Sequence, residues 1–124
     1  MIIRPASTTD FQAIYALYQN EKWMSFTEEK VTSLFSTNLS HYVVVEENQK
    51  ILGFAHYLTD EVMTTFLAEI IIDKSYRGKG LGRRLIAEIH QKHPLTRIEL
   101  ISEADGFYQT VGFKPVGAGL RKSI

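Results

Sequence analysis

The stretch Tyr76-Arg77-Gly78-Lys79-Gly80-Leu81-Gly82 lies between an all-apolar Ile70-Ile71-Ile72 and a segment in which Leu81, Leu85, Ile86 and Ile89 share one face at helical spacing. A buried strand, a glycine-rich turn and an amphipathic helix therefore follow one another. Glycines let a backbone come close to a ligand, and the unpaired N–H groups of a helix start face outward at the positive end of its dipole. The turn thus predicts an anion cradle. Arg77 and Lys79 add full charges, and Arg83 and Arg84 stand in a first helical turn that otherwise favours acidic residues. Two familiar phosphate patterns fail here. A P-loop needs Lys-Ser/Thr after its glycines, and the dinucleotide fingerprint Gly-x-Gly-x-x-Gly is broken by Arg83 or by Leu85.

Outward from this turn the chain divides readily. Met1 to Arg4 reads as a strand stopped by Pro5. Thr9-Asp10-Phe11-Gln12 is a capping box that opens a helix to about Gln19, with Phe11, Ile14, Tyr15 and Tyr18 at helical spacing. A loop with Trp23 follows, then a second capping box, Ser25 to Glu28, before Val31, Leu34 and Phe35. β-Branched and aromatic residues predict antiparallel strands over His41 to Glu46 and Ile51 to Leu58, and another strand over Thr64 to Ile72. The run Ile70-Ile71-Ile72 suggests burial on both faces. The helix after the glycine turn ends near His93-Pro94, Arg97 to Ser102 is a strand, and Asp105 to Val111 is a short helix. Pro115 to Ile124 can supply one or two terminal strands. The expected class is α/β (α+β), a mixed sheet in the order β-α-α-β-β-β-α-β-α-β, with a parallel crossover from strand four to strand five.

Bulk properties bound the function. With 124 residues, 44% hydrophobic and 23% charged, the chain reads as one globular domain over residues 1–124. Lys plus Arg equals Asp plus Glu at 14 each, so no broad attraction to nucleic acid or to an anionic membrane is expected, and any positive site must be local. The lack of cysteine excludes disulfides, thiolate metal sites and a cysteine nucleophile. No apolar run approaches a bilayer span, and a soluble, cytoplasmic protein is the expectation.

The turn also matches Arg/Gln-x-x-Gly-x-Gly/Ala through Arg77, Gly80 and Gly82, and Phe107-Tyr108-Gln109-Thr110-Val111-Gly112-Phe113 matches Phe-Tyr-x-x-x-Gly-Phe some thirty residues later. With the opening Ile3-Arg4-Pro5-Ala6 and the element order, the chain resembles the GNAT superfamily of N-acetyltransferases over nearly its whole length. That resemblance implies acetyl-CoA as co-substrate, an amine of a small molecule or peptide as acceptor, and splayed strands four and five. It implies that backbone near Ile70, Ile71 and Ile72 pairs with the acetyl carbonyl and pantetheine arm, and that amides of Gly78, Lys79, Gly80, Leu81, Gly82 and Arg83 hold the pyrophosphate beside Arg77. A non-catalytic acyl-CoA sensor on the same fold is the alternative.

By the same resemblance Tyr108 is the general acid for the departing CoA thiolate, a role a phenol can fill without being charged at rest. An amine acceptor must lose a proton before attack, and Glu69, one residue before the acetyl-binding stretch, is the candidate base. A carboxylate that merely faces solvent or a cation fits Glu69 equally. Trp23, Tyr57 and Asp60 are expected to form an aromatic and acidic rim suited to a cationic amine. His90 and His93 lie three apart without an evident third ligand, so no metal is expected. Two departures stand out. Ser102-Glu103-Ala104 replaces the family's usual Asn after strand five, and only 11 residues follow Phe113, so the acceptor pocket is either open or completed by a second subunit of a homodimer.

Overall fold

The structure is a computed structural model and describes residues 1–123. Its elements are β1 (Ile2–Pro5), α1 (Phe11–Asn20), α2 (Glu28–Ser36), β2 (His41–Glu47), β3 (Lys50–Thr59), β4 (Thr64–Ile72), α3 (Leu81–Lys92), β5 (Arg97–Glu99) and α4 (Asp105–Thr110). The strands form one sheet in the order β1-β2-β3-β4-β5, antiparallel up to β4 and parallel between β4 and β5. The β2–β3 hairpin closes through Asn48 and Gln49, both at positive φ, as a tight two-residue turn requires.

Period-two alternation, reset by a bulge at Leu52 where Val45 pairs with Gly53 and Glu46 with Ile51, sends the residues of β2 and β3 to opposite faces. On one face Val43, Val45, Leu52 and Ala55 pack against Leu81, Leu85, Ile86 and Ile89 of α3. On the other, Tyr42, Val44 and Phe54 pack against Ile14, Leu17 and Tyr18 of α1 and Val31 of α2. The periodic apolar residues of α1 and α3 are therefore the two halves of the core. Truncating the fully buried Leu85 to Ala should cost about 2–5 kcal/mol.

Several expectations shift. The first helix begins after a 3-10 turn at Thr8–Asp10, and Asp10 accepts from the Ser7 N–H at 2.8 Å. The start of α2 is capped by Thr27, which accepts from the Lys30 N–H. β1 includes Pro5, which an edge strand tolerates. The strand expected over Arg97 to Ser102 stops at Glu99, and the terminal strands expected from Pro115 onward do not form among the described residues. Gly117, Gly119 and the polar end Arg121-Lys122-Ser123 offer little apolar surface to hold such strands.

The strand run Ile70-Ile71-Ile72 splits between the faces: Ile71 packs in the α1 and α2 half, Ile70 and Ile72 against the α3 half. No helix is long and apolar enough to cross a membrane among the described residues.

Candidate active site

β4 decides the site. Its pairing with β5 covers Thr64↔Arg97, Thr65↔Ile98 and Phe66↔Glu99 and then ends, whereas β4 itself continues to Ile72. The two strands part as the family resemblance implies, and the backbone from residue 67 to 72 has no strand partner on that side among the described residues. On the other side β3 still holds it, with Ala55 opposite Ile70 and Gly53 opposite Ile72.

β4 also carries a bulge. His56 pairs with Glu69 and Tyr57 with Leu67, which leaves Ala68 as the extra residue. A bulge inverts the alternation beyond it. Thr65 and Leu67 therefore side with α3, while Glu69 and Ile71 turn toward α1 and α2.

There Glu69 enters a polar cluster inside an aromatic wall. Its Oε1 accepts from the Tyr18 hydroxyl at 2.5 Å and lies 2.8 Å from His56 Nδ1, and Tyr18 is 2.9 Å from the Tyr42 hydroxyl. Because Tyr18 has one proton to give, Tyr42 must donate to Tyr18. Burial, reinforced by the Glu69 charge, pushes the Tyr18 hydroxyl far above the usual tyrosine range, and burial raises Tyr42 too. Both remain donors.

Below β4 the glycine turn takes the form that a cradle needs. Gly78 and Gly80 have φ of +77° and +80°, and nothing lies within 4 Å of where a Cβ would stand on either. Gly80 caps α3 in the left-handed conformation, leaving the first amides of the helix directed outward. Gly82 has a different part: a Cβ there would stand 3.0 Å from the Phe107 ring and 3.6 Å from Ile70, so it joins β4, α3 and α4 closely. All four cations face other groups, Arg84 donating to Met1 Sδ at 3.0 Å. Arg77 donates to the Ile72 carbonyl and pairs with Glu21 at the end of α1, Lys79 lies over the Tyr76 ring at 5.4 Å, and Arg83 donates to the Thr110 carbonyl. Leu81 is buried on the core side of α3. An anion held at this turn would therefore meet amides, with the cations as their frame.

Tyr108 packs against the α3 half of the core, edge-on to Phe107 and Phe113. Its hydroxyl has no hydrogen-bond partner among the described residues, and burial raises its pKa, so it is a neutral donor at pH 7. It also lines a groove of about 850 Å³ with Arg83, Ser102 and Gln109. A smaller cavity of about 290 Å³ lies between α1 and the end of β4, bordered by Leu17, Glu21, Ile71 and Ile72.

The expected acceptor rim does not assemble. Trp23 lies 6.5 Å from Tyr18 and 6.3 Å from Phe26, on the Glu69 side of the sheet. Tyr57 falls on the opposite face, stacked on His41 and hydrogen-bonded to His93, because the alternation of β3 sends it there. Asp60 uses its carboxylate to accept the N–H groups of Val62, Met63 and Thr64, which hold the β3–β4 turn and depress its pKa to about 2. Tyr18, Tyr42 and His56 escaped sequence reasoning. His56, a lone polar residue in an apolar strand on the pleat of Phe54, was the one signal of a buried cluster.

A family model described as Acetyltransferase (GNAT) domain matches residues 38–115, well over half of the chain. The chain belongs to the GNAT acetyltransferase family. Among its relatives are histone acetyltransferase TAP1 of Glycine max, 26% identical over 96 residues, and the chloroplastic GCN5-related N-acetyltransferase 2 of Arabidopsis thaliana, 24% identical over 81. These matches cover 73% and 61% of this chain but only 42% and 31% of the relatives, so the chain spans less than half the length of either. In three dimensions the fold is that of the aminoglycoside 6'-N-acetyltransferase of Acinetobacter haemolyticus, with a TM-score of 0.80 at 16% identity over 100% of this chain and 98% of that one. A GNAT family protein of Streptococcus pneumoniae TIGR4 gives 0.78 at 19% identity, over 98% and 97% of the two chains. An aminoglycoside N-acetyltransferase solved in complex with CoA gives 0.80 at 15% identity, over 99% and 93%.

Proposed function

We propose that this GNAT chain moves the acetyl group of acetyl-CoA onto a primary amine of a small molecule or peptide. The observation that carries the reading is the open edge of β4 from residue 67 to 72, set beside the outward amides at Gly80. Unpaired strand backbone is costly unless a ligand satisfies it, and an amide-lined cradle at a helix start suits a pyrophosphate. Acetyl-CoA supplies both groups in one molecule, together with an activated acyl carbon.

In this reading Glu69 takes a proton from the ammonium, freeing the nitrogen lone pair for attack on the thioester carbonyl. The carbon–sulfur bond then breaks, Tyr108 gives its proton to the sulfur, the second proton that the nitrogen sheds on acylation restores Tyr108, and Glu69 releases the first to solvent. The products are the N-acetylated amine and the free thiol. Trp23 and Phe26 border the acceptor, and Tyr57 and Asp60 stay outside it.

Calorimetry with acetyl-CoA tests the binding half: Gly80→Val, which needs a side chain at positive φ and fills the cradle, should abolish binding while unfolding remains cooperative. Thiol release from acetyl-CoA over a panel of amines tests the transfer half. Parental affinity in Gly80→Val would remove the cradle, and no amine-dependent thiol release would leave a binding module.

A further inference from the structure

His56 is 4% exposed, lies flat on Tyr42 with ring centroids 4.4 Å apart, and places Nδ1 2.8 Å from Glu69 Oε1. Its other nitrogen, Nε2, is buried and has no hydrogen-bond partner. A phenyl ring in this position would keep the stacking and avoid the orphaned nitrogen. What the imidazole adds is the bond from Nδ1 to the carboxylate.

That bond governs which part of Glu69 is free. Oε1 receives both the Tyr18 hydroxyl and His56, while Oε2 has no partner among the described residues. Two donors on one oxygen, arriving from α1 and β3, fix the plane of the carboxylate. The groups facing His56 are Glu69 of β4 and Tyr42 of β2, with Tyr18 of α1 one bond further on. Glu69 in turn sits at the bulge, next to the open edge of β4.

We infer that His56 is a positioning residue for acetyl transfer: through Nδ1–H it holds Glu69 Oε1 so that Oε2 alone is presented to the acceptor ammonium. The inference rests on Glu69 as the base in the reading above. A neutral His56 must then carry its proton on Nδ1, with Nε2 bare.

Three variants separate this role from packing. His56→Phe keeps the stacked ring and removes both the bond and the orphaned nitrogen, so its melting temperature should not fall below the parent's. Its turnover, read as thiol release from acetyl-CoA with tryptamine, spermidine and a lysine peptide as probes, should drop on the order of 10- to 100-fold, because the base loses its orientation. The KM for acetyl-CoA should not change. His56→Asn places an amide N–H close to the Nδ1 position and should recover most of the loss. In a Glu69→Gln background, His56→Phe should add nothing further. Side-chain nitrogen NMR of the parent at pH 8 should show His56 protonated on Nδ1. Full turnover in His56→Phe alongside a loss in Glu69→Gln would overturn the role of His56 alone. Full turnover in Glu69→Gln would overturn the base and this inference together. An Nε2-protonated tautomer would overturn it without any kinetics.

Discussion

Gly82 and Phe107 meet so closely that a single methyl between them would come within 3.0 Å of the ring, and this contact joins α3 to α4, the helix that carries Tyr108. Gly82→Ala sets two comparable effects against each other. Alanine gains about 1 kcal/mol of helix propensity, while overpacking costs roughly 1–3 kcal/mol. The melting temperature should change little or fall slightly. Phe107 must shift, and Tyr108 with it, so turnover should fall more than stability does. Equal, small changes in both quantities would show that α4 absorbs the displacement without moving Tyr108.

Tyr108→Phe should lower turnover by roughly 100- to 10,000-fold, the usual contribution of a general acid. Since the hydroxyl makes no bond to the protein among the described residues, its removal should leave stability and acetyl-CoA affinity close to parental values. Steady-state kinetics beside calorimetry checks both halves. Parental turnover with chemistry rate-limiting would assign the proton to water or to another residue.

Arg4 donates two hydrogen bonds to the buried Asp10 and a third to Glu46. These bonds from Arg4, followed by those from Ser7, hold the Asp10 carboxyl below its ordinary value. A depressed carboxylate contributes stability that is present above its unfolded value, about 3.9, and is lost as pH falls through the folded one. Asp10→Asn should therefore cost about 1.5–3 kcal/mol at pH 7, a charged hydrogen bond's worth. The gap between parent and variant should narrow as pH falls below the unfolded value, about 3.9, toward the lower folded one. Urea midpoints at pH 7 and pH 3 measure it.

Burial raises Tyr18, Tyr42, Tyr57 and Tyr108. For groups raised in the folded state, stability is full below the unfolded value of about 10 and is lost as pH climbs toward the folded one. Unfolding free energy should stay level to about pH 10 and fall above it. Each tyrosine contributes up to about 1.4 kcal/mol per pH unit, so Tyr18→Phe should make the fall shallower by about that amount. Chemical denaturation between pH 9 and pH 11, roughly one unit either side of the reference value, would reveal it. An unchanged slope would mean that Tyr18 ionises alike in both states.

From the sequence by itself came whatever depends on local chemistry. Apolar spacing placed α1, α3 and β4, because a period of 3.6 or 2 is written directly in neighbouring residues. Gly78, Gly80 and Gly82 marked the turn, and Phe107-Tyr108 with Gly112-Phe113 marked α4. The tertiary structure decided how those parts face one another. The bulge at Ala68, which sends Glu69 toward α1, arises from the pairing of β4 with β3 and leaves no trace in β4 alone. Tyr57 and Trp23 look like neighbours in function until the alternation of β3 puts the sheet between them. Gly82 reads only as part of the anion turn until Phe107, 25 positions away, is found packed where its side chain would stand. Tyr18, Tyr42, His56 and Glu69 come from four separate elements, and their cluster exists only once α1 is packed on the sheet. Long-range contacts of this kind are set by register and packing, which no local pattern records.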